Sequence, residues 1–254
     1  MENILNCLDS QNFPKKDFEV ILVEDKGGSK EGKKLQEKFS QLNISYFAPS
    51  DHWGKMGYMR NYSLSKAGGE IVLFLDDDTI ILDQYFLTKL YHFFSNDLDL
   101  MSVIPKGSAS YSLLKNRYAF HDPFFFTNRC LVHRRSCLIG FCGFDSSFVG
   151  QEDVELAIRF LAKSCKYLKS TELEYYHPPL IVNDPGKAMA VGLSFANSKY
   201  SFIMKLILLA NGARWIVRYL LPGPKNLYMG RFARGFAIGF IKGFFSKNKE
   251  LNYS

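Results

Sequence analysis

Between Pro185 and Lys249 the sequence has no acidic residue, while eleven lysines and arginines fall there, from Lys187 to Lys249. The carboxyl end is therefore cationic, although the part before it is on balance acidic and the whole chain carries +7. Cysteine is scarce and unpatterned. Cys7, Cys130, Cys137, Cys142 and Cys165 are odd in number and form no C-x-x-C pair, so no zinc site is implied and reduced, mostly buried thiols of a cytosolic setting are expected. Met1-Glu2-Asn3 carries no basic stretch leading into an apolar one, so no signal peptide is expected. No internal repeat appears. With 254 residues, 47% of them hydrophobic, the chain is long enough for a sizeable core and is read as one α/β domain with an appendage.

What is there is organised around Gly68 to Ile81. Ile71 to Leu75 is an unbroken run of apolar β-formers, as in a fully buried parallel strand, and it ends in Asp76-Asp77-Asp78. Ligands of open α/β sheets sit beyond the carboxyl ends of strands, so a polar site is expected here. Three adjacent carboxylates repel one another unless a cation shares them, and their hard oxygens suit Mg²⁺ or Mn²⁺. An acidic turn closing the strand is the other reading.

The spacing predicts helices over 2–11, 30–42, 58–66, 84–95 and 153–164, and strands over 18–23, 44–47, 71–75, 100–105, 130–133 and 173–176, with a turn of helix over 134–139. Residues 107–126 are aromatic and show no clear period. On the helix from 153, Val154, Ala157, Ile158 and Leu161 share one face, with Arg159 and Lys163 off it. The strand–helix alternation predicts a three-layer α/β domain over 1–185. The region 186–254 differs in kind. Tyr200 to Leu221 is apolar but broken by Lys205, Asn211, Gly212, Arg214 and Arg218, which suits a helix lying at an interface better than one spanning a membrane. Pro222-Gly223-Pro224 ends it. Phe232, Phe236, Phe240 and Phe244 then recur every four residues beside Gly235, Gly239 and Gly243, an aromatic ridge along a smooth groove. Packing against the domain would explain that stripe, but the unrelieved positive charge favours an anionic membrane surface.

Four features stand in a fixed order: a strand ending near Asp25, the strand ending in Asp76-Asp77-Asp78, Gly140-Phe141-Cys142-Gly143-Phe144-Asp145 before Gln151-Glu152-Asp153, and His177. Together with Arg60-Asn61 and Arg134-Arg135 they resemble the inverting family two glycosyltransferases of the GT-A fold, from residue 2 to His177. The resemblance implies a Rossmann-like α/β domain with a mixed, mainly parallel sheet, followed here by basic amphipathic helices. It implies that Asp25 meets the donor base, that Asp76 and Asp77 lie on the ribose or diphosphate side, and that Asp78 and His177 hold Mn²⁺ or Mg²⁺. The resemblance further implies that Arg60 faces the donor, that Gly143 lets a sugar approach the backbone, and that Glu152 orients its neighbours or caps a helix. It also implies that Asp153 is the general base and that the metal neutralises the departing diphosphate. Each residue also has a plain structural reading: a turn aspartate at 25, a surface arginine at 60, a turn glycine at 143, a dipole-favouring acid at 153, a strand-end histidine at 177.

Family members begin with a strand of the type Val-Ser-Ile-Ile-Ile-Pro, and this sequence starts after it. That strand would lie between those ending at Asp25 and Asp78, and its absence would leave buried backbone groups unpaired at about 1–3 kcal/mol each. The expectation is that the natural start is missing; a shortened, inactive relative is the alternative. The turn Lys26-Gly27-Gly28-Ser29 is also longer than the family's usual form. The expected activity is transfer from a nucleotide sugar, a UDP-sugar, to a lipid-linked or cell-surface glycan, in the cytoplasm at the inner membrane face. A non-catalytic nucleotide-sugar binder is the second reading. Nucleic acid ranks below both, because the basic residues are interleaved with long apolar runs.

Overall fold

The computed structural model describes residues 1–52, 54–109, 123–177 and 185–245. Its internal contacts divide the chain into two compact units, each taken by itself: Met1–Asp51, Met59–Phe144 and Asp153–Pro179 in one, His52–Tyr58, Asp145–Glu152 and Leu180–Ser254 in the other.

The chain up to His177 alternates helices and strands. Helix α1 (Glu2–Asp9) precedes β1 (Val20–Val23), α2 (Lys30–Lys38) and β2 (Ile44–Phe47). Then come α3 (Met56–Lys66), β3 (Ile71–Leu75), α4 (Phe86–Asn96), β4 (Ser102–Ala109), β5 (Cys130–Arg134), α5 (Arg135–Gly140), α6 (Glu152–Ala162) and β6 (Tyr167–His177). The strands form two ladders. β1 pairs with β2 in parallel, and β3-β5-β4-β6 makes a four-stranded sheet. Within it β4 and β6 are parallel while β5 runs antiparallel to both β3 and β4. The division between the ladders falls between β1 and β3, where the family's first strand was expected. The carboxylate of Glu19 ties the beginnings of β1 and β3 together by accepting the Gly68 and Gly69 N–H groups. Both strands are wholly apolar, yet β1 is only half-buried along its length and β3 buries only Phe74.

Because side chains alternate along a strand, β5 feeds both faces of its sheet. Cys130 and Val132 join Phe86, Leu90 and Phe94 of α4 on one side. Leu131 joins Leu64 of α3, Leu138 of α5 and Phe160 of α6 on the other. This is the mixed three-layer α/β arrangement predicted.

Several local expectations change. Helix α6 buries Leu156, Ala157 and Phe160, whereas Leu161 is exposed and Val154 and Ile158 are half-buried. The predicted apolar face is rotated because Glu155 and Arg159 point inward: Arg159 pairs with Glu155 and donates to the carbonyls of Phe141 and Gly143. Arg134 also turns inward, donating to the carbonyls of Leu100 and Phe94 and pairing with Glu70, so it staples β5 to the end of α4. Among the thiols only Cys130 is buried, and Cys142 is exposed. β4 and β6 both run longer than expected. Residues 110–122 of the aromatic stretch, Pro178, Pro179, Lys247 and Lys249 lie outside the described residues.

The second unit holds α7 (Pro185–Asn197), which no periodicity announced, α8 (Phe202–Ala213), a 3₁₀ turn (Arg214–Leu220) and α9 (Pro224–Phe245). Helices α7 and α9 meet backbone to backbone: β-carbons at Gly192 and Gly239 would collide with the carbonyls of Phe236 and Met189. The glycine groove of α9 is thus filled by α7. Phe236 and Phe240 of the ridge are buried, Phe236 against Phe195, while Phe244 remains exposed.

Candidate active site

β3 delivers three carboxylates to its carboxyl end, and the local hydrogen bonds sort them. The Asp76 N–H and the Thr79 hydroxyl both donate to the Arg129 carbonyl, just before β5, and Thr79 is fully buried. Asp76 is thereby turned under Arg60 of α3, whose Nη2 lies 3.2 Å from Asp76 Oδ1. Two residues past Asp78, Ile80 exchanges both backbone hydrogen bonds with Tyr176, at 2.8 Å each. That bridge carries His177, 99 residues beyond Asp78, to the same rim. His177 Nε2 lies 2.9 Å from Asp78 Oδ1 and 3.7 Å from Asp76 Oδ2. One ligand atom from each of Asp76, Asp78 and His177 falls within 4.8 Å of the others. Two carboxylate oxygens and a buried imidazole nitrogen converging so closely fit a divalent cation.

Electrostatics favour the ionised form of Asp76. Burial works to raise its pKa, but the hydrogen bond with His177 and the positive charges of Arg60 and Arg129 outweigh it, and the net direction is downward. Asp77 is exposed and stands outside the cluster.

Asp153, the second residue of α6, is half-buried with both oxygens engaged by backbone: Oδ1 accepts the Val154 N–H at 2.8 Å and Oδ2 the Asn128 N–H at 3.3 Å. Asn128 and Arg129 are consecutive residues, so one short stretch of backbone ties Asp153 through the Asn128 N–H and Asp76 through the Arg129 carbonyl. The candidate base and the candidate metal ligands therefore share one rim of the sheet. Glu152, the residue before, is buried.

The glycine-bracketed loop is held from α3. Asn61 Nδ2 donates to the Phe144 carbonyl and Asn61 Oδ1 accepts the Phe144 N–H, both at 2.8 Å. Gly143 has φ +69°, and a β-carbon there would collide with Asn61 Oδ1. Both the left-handed backbone and Asn61 thus call for glycine here. Asp25 lies on the other ladder, after β1, where its Oδ1 accepts the Lys26 N–H at 2.8 Å. The turn beside it is fixed by Glu24, whose carboxylate accepts the hydroxyls of Ser29 and Tyr46. Burial, together with that bond to Glu24, raises the Tyr46 pKa.

Asn128, Arg129 and Thr79 were missed by sequence reasoning. The available signal was the polar triplet Thr127-Asn128-Arg129, wedged between Phe124-Phe125-Phe126 and an apolar strand. Asn128 is almost wholly buried, and no hydrogen-bond partner is described for its carboxamide.

Comparison with known proteins identifies the fold and the family. Over 78 residues, 31% of this chain, the sequence is 36% identical to poly(ribitol-phosphate) beta-N-acetylglucosaminyltransferase TarS of Staphylococcus aureus (strain Mu50 / ATCC 700699), and the match spans 14% of that enzyme. The fold is similar to S. aureus TarS 1–349 in complex with UDP, with TM-score 0.55 and 18% identity over 96% of this chain and 86% of that one. It is also similar to the mannosyltransferase PcManGT of Pyrobaculum calidifontis in complex with GDP-Man and Mn²⁺, with TM-score 0.63 and 13% identity over 97% and 83%. Residues 1–144, more than half of the chain, match the family described as Glycosyl transferase family 2, and the chain belongs to that family.

Proposed function

We propose that this chain transfers a sugar from a nucleotide sugar, a UDP-sugar, to a hydroxyl of a glycan or lipid-linked acceptor, with inversion at the anomeric carbon. The observation that carries the reading is the shared rim: the Asp76, Asp78 and His177 ligand atoms lie within 4.8 Å, and Asp153 is tied to the same strand end through Asn128 and Arg129. UDP-GlcNAc is the donor to test first, since TarS 1–349 has been solved with it and the related TarS is named for N-acetylglucosaminyl transfer.

In this reading Asp78 and His177, with Asp76, would hold Mn²⁺ or Mg²⁺, which would supply positive charge to neutralise the departing diphosphate. The bond with His177 and the charges of Arg60 and Arg129 favour the ionised form of Asp76, and Arg60 fixes its position. Asp153, anchored by two backbone N–H groups, accepts the proton of the acceptor hydroxyl as that oxygen bonds to the anomeric carbon. The bond from that carbon to the diphosphate oxygen breaks, and its electron pair leaves with the diphosphate. Attack from the opposite face inverts the centre, and no leaving-group acid is needed. Asp25 lies at the end of the neighbouring ladder, available to the base of the donor.

The test combines binding with turnover. Mn²⁺-dependent thermal stabilisation by UDP-GlcNAc is expected for the wild type and is lost in Asp78→Ala. Asp153→Asn is expected to keep that stabilisation while turnover falls by roughly 10²–10⁴-fold, and NMR of the product gives the anomeric configuration. Wild-type turnover in Asp153→Asn overturns the assignment of the base. A donor bound but never transferred by the wild type favours the non-catalytic reading.

A further inference from the structure

We propose that α8, the 3₁₀ turn after it and the outward face of α9 form a docking surface for an anionic phospholipid bilayer. This goes beyond the proposed activity and does not depend on it.

Helix α8 has the sequence Phe-Ile-Met-Lys-Leu-Ile-Leu-Leu-Ala-Asn-Gly-Ala, and none of its residues is buried. The same holds for the turn that follows. Ile203 is 70% exposed, Leu220 80% and Phe245 85%, values at which large apolar side chains are almost fully in contact with solvent. Phe202 at the start of α8 lies against Phe244 near the end of α9, ring centroids 5.7 Å apart, so the two helices contribute to one patch. An exposed apolar patch of this extent marks an interaction site.

Charge identifies the partner. On α9 the residues at 231, 234, 238, 241 and 245 follow the three-and-four spacing of a single helix face, and all five are exposed: Arg231, Arg234, Ile238, Ile241 and Phe245. Cations and apolar side chains are thus mixed on one face, with no acidic residue from Pro185 to Lys249 to offset them. Arg214 and Arg218 flank Trp215 at 5.1 and 5.0 Å from its ring, the pairing of aromatic body and cationic head found at the boundary of a bilayer. A second copy docking through the same face about a twofold axis would bring cations against cations. An anionic headgroup layer over an acyl interior complements both features at once. The helix is also the right size to lie flat: 12 residues rise about 18 Å, short of the ~30 Å hydrocarbon core. No described helix is long and apolar enough to cross a membrane.

The experiment is co-sedimentation of the full chain with vesicles of phosphatidylcholine alone and of phosphatidylcholine with about a quarter phosphatidylglycerol. The expected result is binding to the anionic vesicles, weakened several-fold in high salt. Arg231→Glu/Arg234→Glu should weaken that binding at least tenfold, as should Ile203→Glu/Leu220→Glu. All four positions are exposed, and an unchanged thermal melt of each variant confirms folding. Wild-type binding by either variant overturns the proposal, as does failure of the wild type to prefer anionic vesicles. Lipid-free dimerisation abolished by Ile203→Glu/Leu220→Glu, without vesicle binding, assigns the face to a second copy instead. Retention on duplex DNA but not on vesicles assigns it to nucleic acid.

Discussion

Asn61 and Gly143 are coupled by geometry, and a double-mutant cycle can measure the coupling. Gly143→Ala has two costs. A left-handed backbone at φ +69° is unfavourable by about 1–2 kcal/mol for alanine. The new methyl also collides with Asn61 Oδ1, expelling the carboxamide and breaking both of its 2.8 Å bonds to Phe144, each of which contributes about 1 kcal/mol. The single variant should therefore lose about 3–4 kcal/mol, and Asn61→Ala about 2 kcal/mol for the same pair of bonds. In the double variant the methyl has room and the bonds are lost only once. Its loss should fall short of the summed singles by about 2 kcal/mol. Urea unfolding followed by circular dichroism gives the three differences, provided the fluorescence transition coincides. Additivity to within about 0.5 kcal/mol would show that Gly143 is not held by Asn61.

His133 lies fully buried in β5 between Phe126 and Phe160, with no described partner for either ring nitrogen, and burial pushes its pKa down to about 3. The unfolded chain takes up this proton near pH 6.5 and the folded chain does not, so stability falls as pH drops below 6.5, by about 1.4 kcal/mol per unit until pH approaches 3. His133→Leu should remove that slope, gaining roughly 2 kcal/mol on the wild type between pH 6.5 and 5; parallel stability–pH curves would refute the assignment. Arg159→Met removes the ion pair that Arg159 makes with the buried Glu155 and strips two carbonyl bonds from the glycine loop, an expected loss of about 3 kcal/mol. Adding Glu155→Gln should restore part of it in the same urea titration, and a further loss there would rule out the buried charge as the cause.

Strand ends were the most legible part of the sequence. An apolar run closed by Asp76-Asp77-Asp78 needs only its length, its β-forming residues and a change of polarity to be recognised, and the same signal located Asp25. The order of motifs carried the family. Helix α6 shows where pattern reading stops. Val154, Ala157, Ile158 and Leu161 make a good apolar stripe, but the sequence does not say that Arg159 will be drawn inward by the carbonyls of Phe141 and Gly143. Backbone acceptors have no letter of their own, so a helix rotated by a charge reaching for them cannot be read from its periodicity. Helix α7 was hidden for a related reason: its glycine and small residues serve a close helix crossing at Gly192 rather than an amphipathic face.

The assembly of the site rests on that same silent layer. Asp76 and Asp153 are 77 positions apart and are tied to one backbone segment, Asp76 by its N–H to the Arg129 carbonyl and Asp153 by its carboxylate to the Asn128 N–H; His177 arrives because Ile80 and Tyr176 exchange two backbone bonds. The candidate side chains can be named from the sequence, since their chemistry is written in their identity. The groups that bring them together are peptide units, which every residue possesses, and only the fold decides which of them point into the site. The polar side chains among those positioning residues are therefore the informative exceptions. Asn128, with its carboxamide buried and its own N–H spent on Asp153, is the one whose identity the backbone role alone does not require.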